Sequence, residues 1–276
     1  MIVNTSPSML VDLLKAVNEL AKVAGERILE VYETEDFGVE NKDDKSPLTL
    51  ADTAAHNTIV AGLEKITPDW PILSEESAKI PFSERSQWSR YWLVDPLDGT
   101  REFIKRNGEF TVNIALIENQ KPILGVVYVP VTQVCYFAST SEGAFKSSPE
   151  ASTQAIKVRT CLANRLTVAG SRSHADEHLK KFISIMDKEV ELISIGSALK
   201  TCLVAEGKVD VYPRFGPTSE WDTAAAQCVV EQAGGFLTDV NLQPLRYNTK
   251  ESLLNPYFFV YGDANEDWAH YLAKVF

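Results

Sequence analysis

The chain has 276 residues, 45% of them hydrophobic and 24% charged, enough apolar material for one large core or two tightly packed halves. Its 38 acidic residues against 27 basic ones give a net charge of −11, which argues against a polymeric nucleic acid as partner. A small phosphorylated substrate stays open, provided metal ions supply the positive charge.

In chain order, Leu10, Leu13, Leu14, Val17, Leu20, Ala21, Ala24, Ile28 and Val31 recur at three- and four-residue steps. They predict a long amphipathic helix capped by Ser6 or Ser8. Thr49 caps a second helix with the apolar face Ala55, Ile59, Leu63 and Ile66, which puts Asp52 in the first turn, near its positive end. Short apolar runs at Pro71–Leu73, Tyr91–Val94, Thr111–Leu116, Ile123–Val129 and Val134–Phe137 predict a mostly antiparallel sheet. The polar stretch Lys146–Ala155 reads as a linker. It divides the chain into residues 1–150, a helix pair plus sheet, and residues 151–276, an α/β half. In the second half strand-like runs (Leu166–Ala169, Glu191–Ile195, Val209–Tyr212, Gly235–Thr238, Phe258–Tyr261) alternate with helices over about 175–187, 197–206, 222–233 and 263–274.

Cys135, Cys161, Cys202 and Cys228 stand far apart, so neither a zinc site nor a redox pair is suggested, and they read as thiols of a reducing compartment. No basic segment leads into an apolar core at the N-terminus, and no apolar run reaches the roughly 18 residues that span a bilayer. The expected location is the cytoplasm.

Acidic residues gather at element ends. Asp52 opens a helix, Glu75 and Glu76 follow an apolar run, Asp95 and Asp98 follow Tyr-Trp-Leu-Val, and Asp222 stands at a helix start. Pro96 stiffens the chain just after the strand and Gly99 permits a tight turn, so Asp95 and Asp98 can face one another across the Leu97 carbonyl. Carboxylates, carbonyls and water suit magnesium, whereas softer metals favour His or Cys. Asp95 could bridge two ions, a geometry suited to displacement at phosphorus. Taken singly, each feature has a plainer explanation. Glu75-Glu76 reads as solvated surface, Asp52 as a helix-dipole partner, Asp-x-x-Asp-Gly as a turn or calcium loop, and Asp222 as a cap. Their joint occurrence is what points to chemistry.

The set Asp52, Glu75-Glu76, Leu93-Val-Asp-Pro-Leu-Asp-Gly-Thr100 and Trp221-Asp-Thr-Ala-Ala225 resembles, in order and spacing, the inositol monophosphatase superfamily of lithium-sensitive phosphatases. The resemblance covers nearly the whole chain. It implies an α+β architecture, the layered αβαβα sandwich of the inositol monophosphatase and fructose-1,6-bisphosphatase type. Lys42 to Asp52, Phe103 to Asn113, Ser171-Arg-Ser-His174, Ile195-Gly-Ser-Ala-Leu-Lys200 and Tyr212-Pro-Arg-Phe-Gly-Pro217 resemble the bacterial 3′(2′),5′-bisphosphate nucleotidase branch. That branch implies magnesium-dependent removal of the 3′-phosphate from adenosine 3′,5′-bisphosphate (PAP), with the sulfated nucleotide PAPS as a further substrate, in sulfate assimilation. Two departures are visible. Ala226 stands where the family carries Gly, harmless in a helix interior unless another backbone passes close. Arg101 replaces a Lys of many relatives and keeps the charge.

By the resemblance, one Mg2+ would take Glu75, Asp95 and the Leu97 carbonyl, and a second Asp95, Asp98 and Asp222. A third, weaker ion would sit on Glu75 through waters. Thr100, bonded to Asp52, would relay the proton of the attacking water, and Glu76 would support the ligands from behind. Gly99, His174, Ser197, Lys200 and Arg214 would line the nucleotide pocket with the metal-site residues. For Lys200, Arg214 and His174 the plainer alternative is a surface cation or a loop residue. Two other readings stay open: a phosphatase of the same superfamily acting on inositol monophosphate or a sugar bisphosphate, and a non-catalytic nucleotide or metal sensor. Peripheral membrane association belongs to relatives of this type, and no lipid-binding segment here predicts it.

Overall fold

Residues 5–35, 37–41, 47–171 and 177–276 are described by the computed structural model. Helix α1 (Pro7–Tyr32) starts where Ser6 Oγ accepts the Met9 N–H at 3.3 Å, with proline in the first turn, so Ser6 rather than Ser8 is the cap. Two short strands, β1 (Glu40–Asn41) and β2 (Pro47–Leu48), pair before α2 (Leu50–Ile66). Next come β3 (Ile72–Ser74), a 3-10 turn at Glu75–Ser77, the single-turn α3 (Phe82–Arg85), β4 (Arg90–Asp98) and α4 (Thr100–Ile104). Then follow β5 (Thr111–Glu118), β6 (Lys121–Val129), β7 (Val134–Ser139), β8 (Gly143–Ser148) and β9 (Ala151–Ala155). The remainder is β10 (Arg165–Ser171), α5 (Glu177–Ser184), β11 (Glu189–Ile195), α6 (Leu199–Ala205), β12 (Val211–Arg214), α7 (Glu220–Gln232), β13 (Phe236–Asp239), β14 (Phe258–Tyr261) and α8 (Trp268–Val275).

Strands β3 to β9 form a seven-stranded sheet in chain order, antiparallel except for the parallel pair β3–β4. The second sheet has five strands in the order β11-β10-β12-β14-β13. Every residue of β5 is buried because the large sheet is covered on both faces. Val112, Ile114 and Leu116 join the core under α1 and α2, while Ala115 and Ile117 join the core under α6 and α7. Beyond those helices lies the five-stranded sheet, and α5 and α8 close the stack through Phe182 and Trp268 against Val168, Val211 and Phe259. The architecture is the expected αβαβα sandwich.

Close contact mounts α7 on the large sheet. A Cβ on Gly125 of β6 would collide with the Ala225 carbonyl and lie 2.8 Å from Cys228 Cβ, so glycine is required there. Ala226 itself is buried in the same core. The expectation of a linker at Lys146–Ala155 is overturned: Phe145 pairs with Ala155, Lys146 with Gln154 and Ser148 with Ala151, making β8 and β9 an edge hairpin. All five β9 residues are exposed, so the strand rests on backbone bonds and leaves no apolar alternation to read. Helix α8 starts later than expected, because Asp263 caps a preceding turn and Asp267 accepts the His270 N–H at the helix start.

Candidate active site

Ser74 on β3 pairs with Val94 on β4, so two parallel strands end side by side and deliver Glu75 and Asp95 to the same place. The expected turn after Val94 is corrected. Strand β4 runs on to Asp98, with Asp95 opposite Asn113 and Asp98 opposite Thr111, so the strand carries one extra residue there. Pro96 has no N–H for the ladder, and such a bulge tolerates it while re-aiming the neighbouring side chains. The Leu97 N–H donates to Asp95 Oδ1 at 3.1 Å. The turn follows at Gly99, whose φ of 98° favours glycine and whose Cβ would lie 3.1 Å from the Glu109 carbonyl.

Asp98 Oδ2 accepts the Ala198 N–H at 2.6 Å and the Asn113 amide at 3.3 Å, with Thr111 Oγ1 at 3.5 Å. Asp222 comes from the first turn of α7, where its Oδ2 accepts the Ser219 N–H at 2.8 Å. Carboxylate oxygens of Asp95, Asp98 and Asp222 lie within 4.8 Å of one another. Glu75 and Leu97 line the same cleft. Burial, followed by the charges of Glu75, Asp98 and Asp222, raises Asp95 well above the usual carboxylate range. Burial, Asp98 and Glu75 do the same to Asp222. Asp98 is also raised by burial, against the opposing pull of Lys200 and the Ala198 N–H. Such crowded carboxylates are compatible as anions only around added positive charge. An all-oxygen donor set fits a hard divalent cation.

Asp52 is buried at the start of α2. Its Oδ2 accepts the Thr49 N–H at 2.7 Å and the Thr49 hydroxyl at 2.6 Å, while Oδ1 accepts the Thr100 hydroxyl at 3.2 Å. The Leu97 carbonyl lies 3.4 Å from the same hydroxyl. Glu76 follows Glu75 on the 3-10 turn but does not line the cleft, and its charge acts on His56.

Ser197, Lys200 and Arg214 line the same cleft. Lys200 is no surface cation: only 6% exposed, its Nζ donates to the carbonyls of Ile195 at 3.2 Å and Ser197 at 2.7 Å and stands over the Tyr212 ring. Burial lowers its pKa to about 8, with Asp98 pulling the other way. Ser197 adopts φ 51°, and its buried Oγ finds no hydrogen-bond partner among the described residues. The buried Arg214 Nε is likewise unpartnered there, while Nη2 reaches the Pro217 carbonyl at 3.2 Å. His174 lies outside the described residues.

Thr111 and Asn113, the braces of Asp98, escaped the sequence reading. Their signal was available: two polar residues at alternate positions of a strand that is otherwise apolar until Glu118. Thr49 was read as a cap alone, yet it also fixes which oxygen of Asp52 faces Thr100.

A carboxylate cluster sharing one cleft with the buried Lys200 and the half-buried Arg214 fits one class, that of metal-dependent phosphatases. The chain belongs to the inositol monophosphatase family, whose model matches residues 9–274. That family is metal-dependent. The chain is 51% identical over 249 residues to the 3′(2′),5′-bisphosphate nucleotidase CysQ of Escherichia coli K12, covering 90% of this chain and 99% of that protein. It is 37% identical to the protein of the same name from Haemophilus influenzae, over 93% of this chain and 95% of that one. Among solved structures, CysQ from Bacteroides thetaiotaomicron superposes with a TM-score of 0.80 at 44% identity, covering 91% of this chain and 97% of that one. The IMPase of Thermotoga maritima gives 0.79 at 25% identity, with 96% and 98% covered. Among the described residues no helix is long and apolar enough to cross a membrane.

Proposed function

We propose that this chain is a magnesium-dependent 3′(2′),5′-bisphosphate nucleotidase that hydrolyses the 3′-phosphate of PAP to give AMP and phosphate. PAPS, which bears the same 3′-phosphate, is a second substrate on this reading, placing the activity in sulfate assimilation. The carrying observation is the cleft itself, lined by both a carboxylate cluster and the cations Lys200 and Arg214. Two differently built anion sites in one cleft suit a substrate with two phosphates. The extensive identity to proteins named for this activity supports the choice over inositol phosphates.

Glu75, Asp95, the Leu97 carbonyl, Asp98 and Asp222 would hold two Mg2+ ions with Asp95 shared, and Glu75 a weaker third. Ions bound there supply positive charge against the phosphoryl oxygens and make water acidic enough to attack at neutral pH. Thr100 then accepts the proton of the attacking water while passing its own to Asp52 Oδ1, the oxygen opposite the one that Thr49 bonds. Water adds to phosphorus as the bond to the 3′-oxygen breaks, and that oxygen takes up a proton from solvent. Arg214 offers planar donors for the 5′-phosphate, and Lys200 one remaining N–H. The test is phosphate release from PAP, PAPS and inositol 1-phosphate with Mg2+. Preference for the nucleotides is expected. Equal turnover of inositol phosphate, or a Lys200→Ala, Arg214→Ala double variant that loses activity equally on both classes, would falsify nucleotide specificity.

A further inference from the structure

Asp222 owes its position to the first turn of α7, and that turn is held from outside by an irregular segment, Tyr247 to Asn255. Leu253 offers its carbonyl to the Glu220 N–H at 2.8 Å. The Asn255 side chain bonds the Ser219 carbonyl at 2.7 Å and the Thr223 hydroxyl at 3.1 Å. The Asn248 N–H donates to Glu220 Oε2 at 2.8 Å. This segment has no helix or sheet of its own to make it rigid. Tyr247 ties its start to Thr223 and Gln227, Leu254 bridges to Ser219 near its end, and Arg85, from the connection between β3 and β4, holds the stretch between.

Arg85 is 1% exposed, an unusual state for an arginine. Its Nη1 donates to Asn248 Oδ1 at 2.6 Å, its Nη2 donates to the carbonyls of Lys250 and Glu251, and its own carbonyl accepts the Asn248 amide at 2.5 Å. Asn248 thus clamps Arg85 with its side chain and Glu220 with its backbone, at a φ of 55° that asparagine tolerates. Glu220 is equally buried. A buried cation and a buried carboxylate are therefore joined through one residue. The chain Arg85–Asn248–Glu220 ends two residues from Asp222. It also begins in the connection that carries Glu75 at one end and leads into the strand of Asp95 at the other.

We infer that Arg85 is a positioning residue for the metal site: through Asn248 and Glu220 it sets the first turn of α7, and so the distance of the Asp222 carboxylate from Asp95 and Asp98. None of Arg85, Asn248 and Glu220 lines the cleft, so Arg85 acts through Asp222. The inference rests on Asp222 being a metal ligand, and the test separates the two. Binding of Mn2+ alone to the full chain is measured by electron paramagnetic resonance of the free ion, together with half-saturating Mg2+ and KM for PAP, in wild type, Asp222→Asn, Arg85→Ala, Arg85→Lys and Asn248→Gly. Asn248→Gly keeps the backbone conformation and removes only the amide, so it decides the matter if Arg85→Ala does not fold. Partners that orient metal ligands are worth about 10- to 100-fold in metal affinity. A loss of about tenfold in Mn2+ affinity, with KM for PAP at saturating Mg2+ unchanged, is expected for Asn248→Gly and Arg85→Ala, and partial recovery for Arg85→Lys. If Asp222→Asn binds Mn2+ as wild type does, the ligand assignment fails. If Asp222→Asn loses Mn2+ while Asn248→Gly melts earlier but keeps wild-type affinity, Arg85 is structural only and the inference is overturned.

Discussion

The starts of α2 and α7 are built alike and face different company. In both, an aspartate at the third helical position binds the N–H of the cap residue, Thr49 with Asp52 and Ser219 with Asp222. In each the bond to the cap holds one oxygen of the carboxylate. At α2 the other oxygen of Asp52 meets the Thr100 hydroxyl. At α7 the carboxylate meets Asp95 and Asp98. On the proposed mechanism the same capping device would serve proton handling in one place and cation binding in the other, and the residues opposite would decide which. The plain readings, Asp52 as a helix-dipole partner and Asp222 as a cap, do not compete with the proposed roles, because the bond to the cap residue is what aims each carboxylate.

The comparison breaks most sharply by substitution. Asp222→Asn should lower turnover of PAP about a thousandfold, since the Lewis-acid contribution of an ion is worth several kcal/mol. It should weaken Mn2+ binding in parallel. Asp52→Asn should cost about a hundredfold in kcat, the range of a lost proton acceptor, yet leave Mn2+ affinity within about twofold. Parallel loss of metal in both variants would show that the two helix starts do one job rather than two.

A third prediction concerns pH in metal-free protein. Asp95 and Asp222 have folded-state pKa values raised above their unfolded values. Their contribution is thus fully present below the unfolded pKa, near 4, and is lost as pH rises through the raised value. In EDTA the melting temperature should be higher near about pH 5 than near about pH 8, with the difference shrinking on Mg2+ addition and in Asp95→Asn. Asp52 faces a hydroxyl instead of carboxylates, so Asp52→Asn should leave that pH dependence in place. The smallest effect belongs to the caps. Thr49→Ala and Ser219→Ala should each cost about 1 kcal/mol in denaturant unfolding. Only Thr49→Ala should also slow turnover at saturating metal, because the Thr49 hydroxyl holds Asp52 directly.

Much of this was legible in residue types. The three- and four-residue spacing from Leu10 to Val31 required an amphipathic helix, and the short apolar runs pointed to a mostly antiparallel sheet, whose burial on both faces only the structure shows. The carboxylates declared themselves by occurring together at strand and helix ends, in an order and spacing that resemble a known family. The bulge at Asp95–Asp98 was not legible, since a turn and an extra strand residue have the same composition. Neither was the β9 strand, all of whose side chains point to solvent. The burial of Arg85 and Lys200 was hidden for a related reason. Their partners are backbone carbonyls and a side chain far away in sequence, and a charged residue in a polar run carries no sign of that.

The glycine at position 125 has a consequence for how the molecule comes into being. Synthesis releases β3 to β7 well before α7, so the face of the sheet that α7 covers must wait, with Leu93, Ala115 and Val127 uncovered. When Ala225 settles onto Gly125, the core closes and Asp222 arrives beside Asp95 and Asp98 in the same movement. The trio of Asp95, Asp98 and Asp222 is therefore assembled only once the C-terminal half has folded onto the sheet, so completion of the carboxylate cluster and closure of the core are one event.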